Sequence, residues 1–192
     1  LSWQKIQHVM SVSEKTILVF STKLTHRLRY IFRLVLRDLL EWEVEFTTNA
    51  EEYAANQGPK LNYSNKNLEG GLAVMPGTLL FATGFDEQEP AVAIIDNLEC
   101  LYPTHERSGI PFDPFAASFF MVSRYEEYLP HISDTHSRFE AKDTLAFRNG
   151  FLRKPVVNLW AERLRKAIVV LYPELPAQKR KYHFINTIDV DN

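Results

Sequence analysis

The sequence has few of the features that mark several common classes of protein. It contains one cysteine, Cys100, in 192 residues, which excludes an internal disulfide and a zinc knuckle of paired cysteines. Its formal net charge is only −2, so no excess of positive charge points to nucleic acid as a partner. No run approaches eighteen uncharged apolar residues. We therefore expect no transmembrane helix.

Familiar catalytic and nucleotide-binding motifs are missing as well. Gly70, Gly71 and Gly77 form neither a G-x-G-x-x-G pattern nor a P-loop, and no G-x-S-x-G elbow is present. Cys100 has no neighbour in the sequence that would activate it, so we interpret it as a buried structural thiol. The opening residues are too polar for a secretory signal peptide, which favours a cytoplasmic location.

What the chain does contain is the composition of an ordinary globular domain. Hydrophobic residues make up 45% and charged residues 24%, and thirteen phenylalanines and eight tyrosines can fill a core. A length of 192 residues fits one domain or one domain with a short extension.

The N-terminal half predicts a βαβ unit. Residues 16–21 are apolar and rich in β-forming side chains, which indicates a buried strand. Thr25 is a plausible N-cap for a helix that reaches Leu40, and residues 42–48 alternate as in a half-buried strand. This succession favours parallel strands joined by a right-handed crossover. Further strands are predicted at 60–64, 79–83 and 91–96.

The C-terminal half is more helical. Asp113-Pro114 is a strong helix start, and the helix that it begins should extend to Leu129. Apolar residues nearly encircle this helix, so we expect it to be buried at the centre. An amphipathic helix should follow from Pro155 to Tyr172. We therefore predict an α/β fold: a mixed β-sheet with a βαβ unit near the N-terminus, helices packed on it, and one central buried helix.

The densest polar cluster lies at 123–139. On the predicted helix Glu126 falls among apolar residues, so we expect it to be mostly buried and partnered by an arginine, a histidine or backbone donors. The nearby candidate partners of Glu126 are Arg124, His131, His136 and Arg138. Glu126, His131, Asp134 and His136 are of the residue types that form a metal or acid/base site. Alternatively, the same set ties an irregular loop to the end of a buried helix.

The terminal segment F-I-N-T-I-D-V-D-N predicts a β-strand at 183–190 that delivers two carboxylates, Asp189 and Asp191. Side chains alternate along a strand, so the two would share one face. One carboxylate could hold a divalent cation while the other moves a proton. The alternative is a strand end followed by a turn.

The residues T-I-D-V-D at 187–191 are similar to the first motif of polysaccharide deacetylase-like (NodB-homology) domains, where Thr-aromatic-Asp-Asp begins the catalytic barrel. Longer segments resemble the N-terminal domain of unknown function that precedes such domains in some bacterial proteins. They are L-T-H-R-L-R-Y-I-F from Leu24, F-D-P-F-A-A-S-F-F-M-V-S-R-Y-E-E-Y-L-P from Phe112, D-T-H-S-R-F from Asp134 and K-P-V-V-N-L-W-A from Lys154.

This resemblance implies an N-terminal accessory domain at 1–178, followed at 179–192 by a linker and the first strand of a deacetylase-like domain. The accessory domain would pack against its own C-terminal deacetylase-like domain or bind a glycan.

For the catalytic residues, the resemblance implies that Asp189 is the general base. In the family the next Asp binds a divalent, zinc-type metal with two later histidines. Val190 stands at that position here, so a metal role for Asp191 assumes a displacement of one residue. The histidines would lie beyond Asn192, and we expect this chain alone to hold no cofactor and to be inactive as a deacetylase.

Two other functions stay open. The chain could be a self-contained metal-dependent enzyme that uses the 124–138 cluster, or it could be a protein-interaction module.

Overall fold

The structure, a computed structural model, describes residues 15–104, 108–175 and 184–188 and is built around a parallel β-sheet. The order of this sheet is β2-β1-β3-β4. A separate antiparallel pair joins β5 to β6. The strands are β1 (Thr16–Ser21), β2 (Glu43–Thr47), β3 (Lys60–Tyr63), β4 (Leu72–Ala73), β5 (Val92–Ile95) and β6 (Leu98–Leu101). The predicted α/β class and the βαβ unit are confirmed.

The helices pack on these sheets. They are α1 (His26–Phe32), which continues as a π-helical segment at Arg33–Leu39, α2 (Ala50–Ala55), α3 (Pro114–Val122), α4 (Leu145–Arg148) and α5 (Val156–Leu171). Within the described residues, no helix is both long enough and apolar enough to cross a membrane.

The strand β1 lies at the centre of the sheet because residues 17–20 are all apolar. All six of its residues are buried, and Val19 lies in register with Phe46 of β2 on one side and Leu61 of β3 on the other. The edge strand β2 alternates, with Glu43 and Glu45 exposed and its apolar residues partly buried. This alternation is what a sheet edge with one packed face requires.

Helix α3 lies in the interior, as predicted. Residues 114–120 are all buried, and Asp113 caps the helix by accepting hydrogen bonds from the backbone N–H groups of Phe115 and Ala116. Phe115 stacks on Phe32 of α1 with ring centroids 3.6 Å apart. This contact joins the predicted βαβ unit to the helical half of the chain.

Two predicted elements are wrong in detail. The strand expected at 79–83 is a 3₁₀ turn, Leu79–Phe81, because the side chains of Thr25 and Arg27 take its carbonyls instead of a neighbouring strand. The helix expected to reach Leu129 ends at Val122, because Arg124 adopts a left-handed conformation with φ of 51°. A 3₁₀ helix, Tyr125–Tyr128, follows it.

The strand predicted at 183–190 is not formed by its described part. Residues 184–188 are exposed and belong to no strand. A strand needs a neighbouring strand to pair its N–H and C=O groups, and none in the described chain pairs with this segment. Asp189 and Asp191 lie outside the described residues.

Candidate functional site

A cavity of about 410 Å³ opens between three segments that are distant in sequence: the acidic turn at 87–90, residues 126–132 and residues 139–148. Its apolar walls include Phe120, Leu129, Ile132 and Phe139. Its polar lining is mostly acidic, with Glu87, Glu89, Glu126 and Asp143 beside His131 and Arg148. We call this space the Glu126 cavity.

The break after α3 is what brings Glu126 to this cavity. The left-handed Arg124 turns the chain away from the helix axis, so Tyr125 enters the core while Glu126 faces the opening. The buried Tyr125 hydroxyl donates a hydrogen bond to the Asp86 carbonyl at 3.0 Å. That bond fixes the acidic turn against the 3₁₀ helix, so two walls of the cavity are held together.

Glu126 is half-buried, less than the sequence led us to expect, and its partner is one of the expected kinds, a backbone donor. Its Oε1 accepts a hydrogen bond of 2.7 Å from the N–H of Leu145 at the start of α4. Burial raises the pKa of Glu126, whereas the Leu145 bond and the Arg148 charge act in the opposite direction. Within the part of the chain that the structure describes, this carboxylate makes no second hydrogen bond. One oxygen is therefore left to accept a bond from a ligand.

A second cavity of about 260 Å³ adjoins the first, and Phe120, Glu126 and Phe139 line both. Its other walls are more apolar and include Met121 and Leu152. Glu126 thus stands between two spaces, and one ligand could extend from one to the other.

The structure separates the other candidate residues. His131 lines the Glu126 cavity, donates from Nδ1 to the Leu129 carbonyl at 2.8 Å and packs edge-on against Phe139. Arg124 forms an ion pair with Glu127 beside the second cavity.

Asp134, His136 and Arg138 close a turn of their own. The Asp134 carboxylate accepts bonds from the N–H groups of His136 and Arg138 and pairs with the Arg138 guanidinium at 3.0 Å. The Arg138 N–H above all, and then that of His136, lowers the pKa of Asp134. This geometry favours the loop-tying role for 134–138. Among the described residues, no three or more His, Cys, Asp or Glu side chains form a group that could hold a metal ion.

Four charged lining residues were not predicted from the sequence: Glu87, Glu89, Asp143 and Arg148. Arg148 Nη1 lies 3.3 Å from Glu89 Oε1, a contact between residues 59 positions apart. The acidic turn was visible in the sequence, but nothing in it indicated which segment the turn would meet.

Cys100 is buried, and burial raises the pKa of its thiol to about 11. The thiol is therefore protonated at neutral pH and is a poor nucleophile, in agreement with the structural role predicted for it.

The contribution of the Glu126 carboxylate to the free energy of unfolding can be tested by substitution. Glu126→Ala is expected to lower the free energy of unfolding by about 1–2 kcal/mol, because the Leu145 N–H loses its acceptor. Glu126→Gln keeps an oxygen for that N–H and avoids the buried charge, so it should be at least as stable as the parent at pH 7.

The gain from Glu126→Gln should depend on pH. A carboxyl group whose pKa is raised by folding adds most stability below its unfolded pKa and loses that contribution as the pH rises through the raised value. The advantage of glutamine should therefore vanish below the ordinary value of 4.5. Urea unfolding of both variants at several pH values measures this, with Glu45→Gln, at an exposed position of β2, as control at less than about 0.5 kcal/mol. A Glu126→Gln protein that is less stable than the parent at pH 7 would contradict it.

Comparison with known proteins places the chain in a family. Residues 17–173 match a family of unknown function, DUF7033, and because this match covers most of the chain, the protein belongs to that family. The matched range includes every described wall of the Glu126 cavity. No curated protein and no solved structure matches the chain.

Proposed function

We propose that this chain is a glycan-binding accessory domain of a polysaccharide deacetylase-like protein, and that the Glu126 cavity holds the saccharide. The observation that carries the glycan-binding part is the lining of this cavity, where the Phe139 ring and aliphatic side chains meet carboxylates and a guanidinium. A sugar ring presents apolar C–H groups on its faces and hydroxyl groups around its edge. The partly exposed Phe139 suits the former and the charged groups suit the latter.

The polar groups of the cavity are partly positioned in advance. Leu145 N–H holds one oxygen of Glu126, and Glu89 pairs with Arg148 across the opening. Groups that are held before a ligand arrives lose less freedom on binding, which favours affinity. In this arrangement Glu126 accepts hydrogen bonds from sugar hydroxyls and Arg148 donates to ring or hydroxyl oxygens.

The deacetylase-like context is supported by the sequence resemblance and by the segment that precedes Asp189. Phe184, Ile185 and Ile188 are 76%, 79% and 79% exposed. Large apolar side chains of this kind are usually covered by a partner surface. A catalytic domain that packs over them would place Asp189, as general base, and Asp191, as metal ligand, in its own site. A divalent metal held there would polarise the carbonyl of the acetyl group.

Calorimetric titration with β-1,4-linked glucosamine and N-acetylglucosamine disaccharides tests the proposal. We expect saturable binding of at least one of them, and we expect Arg148→Ala to weaken it about tenfold by removing a charged donor. Arg33→Ala removes another exposed arginine, which lies on the π-helical segment and does not line the cavity. Its affinity should stay within about twofold of the parent. No binding of either disaccharide, or equal loss in both variants, would contradict the proposal.

A further inference from the structure

We infer that Phe85 and Tyr128 form a stacking platform for an additional sugar ring beside the Glu126 cavity, so that the domain binds an oligosaccharide in preference to a shorter sugar. This inference rests on the proposed function and extends it from one cavity to a longer binding surface.

The first observation is an exposed pair of stacked rings. The centroids of Phe85 and Tyr128 are 4.5 Å apart, and the planes of the rings differ by 13°. Phe85 is 56% exposed and Tyr128 is 60% exposed, although each ring contacts the other. The pair therefore presents aromatic surface to solvent, and such a surface suits the apolar face of a pyranose ring.

The second observation is that contacts with Arg27 and Tyr125 hold Phe85 in place. The Arg27 guanidinium lies 5.6 Å from the Phe85 ring centroid and donates to the carbonyls of Leu79 and Gly84 at 3.2 and 2.7 Å. Tyr125 packs 5.7 Å from Phe85 and holds the next residue of the loop through its hydroxyl. Phe85 is thus anchored on both sides in sequence, and the platform exists before a ligand binds.

The third observation is continuity with the cavity. Phe85 lies two residues before the acidic turn that forms one wall, and Tyr128 lies within the 126–132 segment, between the lining residues Glu126 and Leu129. The same two segments therefore build both the platform and the cavity. A linear glycan with one ring in the cavity would lay a neighbouring ring along these segments.

The local charges favour a sugar over an anionic lipid surface. Glu87 and Glu89 lie next to the platform in the sequence. Two cations beside these segments already have partners, because Arg27 donates to the carbonyls of Leu79 and Gly84 and Arg148 pairs with Glu89. Carboxylates beside an aromatic surface would repel anionic headgroups, whereas they accept hydrogen bonds from sugar hydroxyls.

The test is the dependence of affinity on chain length, measured by calorimetry with β-1,4-linked glucosamine and N-acetylglucosamine oligomers of two to five residues. The parent should gain about three- to tenfold in affinity between the disaccharide and the tetrasaccharide. Tyr128→Ala should lose this gain and keep its disaccharide affinity within about twofold, whereas Tyr128→Trp should retain the gain. Tyr30→Ala, a change of an aromatic residue that is 50% exposed and contacts Phe119, is the matched control and should behave as the parent.

The outcomes separate the two proposals. If the parent binds disaccharides but gains nothing with length, or if Tyr128→Ala keeps the gain, the platform is refuted while the cavity proposal stands. If no oligomer of any length binds the parent, both fail. Sedimentation of the same proteins measures their oligomeric state. If the parent is a dimer and Tyr128→Ala is a monomer, the ring pair serves self-association and the inference is overturned.

Discussion

Replacing Asp113 with alanine is expected to lower the free energy of unfolding by about 3–5 kcal/mol. This carboxylate is fully buried and accepts four hydrogen bonds. The donors are the Tyr63 hydroxyl at 2.6 Å, the Gly77 N–H at 2.8 Å, and the N–H groups of Phe115 and Ala116 at 3.0 Å each. Alanine would leave these donors without a partner, and two of them begin the central helix.

Chemical denaturation of the parent and the variant measures this loss. Asn49→Ala is a matched control, because Asn49 also caps a helix, α2, but lies exposed at the surface. Its cost should be about 1 kcal/mol. If Asp113→Ala costs no more than Asn49→Ala, the buried network around Asp113 does not have the strength that its geometry indicates.

Trp160→Ala should be similarly costly, at about 3–5 kcal/mol. The indole is fully buried where α5 meets the β5–β6 pair, and its ring centroid lies 6.2 Å from that of Phe112. Its Nε1 also donates to the Glu99 carbonyl at 2.8 Å. Alanine would open a large cavity and would leave that carbonyl without its donor.

The two contributions at Trp160 can be separated by Trp160→Phe, which keeps much of the apolar volume but loses the hydrogen bond. We expect it to cost about 1–2 kcal/mol in the same denaturation experiment. Leu159→Ala, next in the same helix but 40% exposed, should cost less than about 1 kcal/mol. Equal losses for Trp160→Ala and Leu159→Ala would contradict the docking of α5 described above.

The parts of the fold that sequence patterns predicted are those with strong local signals. β1 is a short apolar run, α1 begins at the capping Thr25, and α3 begins at Asp113-Pro114. The errors lie where tertiary contacts decide. The apolar Leu79–Phe81 reads equally well as a strand or a buried turn, and the side chains of α1 that bind its carbonyls make it a turn. The left-handed Arg124 has no local signature, since neither glycine nor asparagine stands there.

For the candidate site, the sequence indicated Glu126 but not the residues that surround it. Glu126 could be found because a carboxylate among apolar helix positions demands a partner. Its partner is the backbone of Leu145, 19 positions away, and no residue type encodes a backbone donor. Glu89 and Arg148 meet across 59 positions, so their pairing emerges only from the fold. The 134–138 residues were grouped with Glu126 because they are near in sequence, yet they form their own turn.

Amide chemical-shift mapping on the ¹⁵N-labelled chain shows whether the Glu126 cavity binds a saccharide. Titration with a β-1,4-linked glucosamine or N-acetylglucosamine tetrasaccharide should move the backbone amides of Glu89, His131, Leu145 and Arg148, which lie in three separate segments of the cavity wall. The amides of β2, which does not line the cavity, should stay in place. Shifts that saturate on these four amides are the predicted result. Unchanged spectra with both oligomers, or shifts that fall on β2 and leave the cavity amides in place, would show that the Glu126 cavity is not a saccharide site.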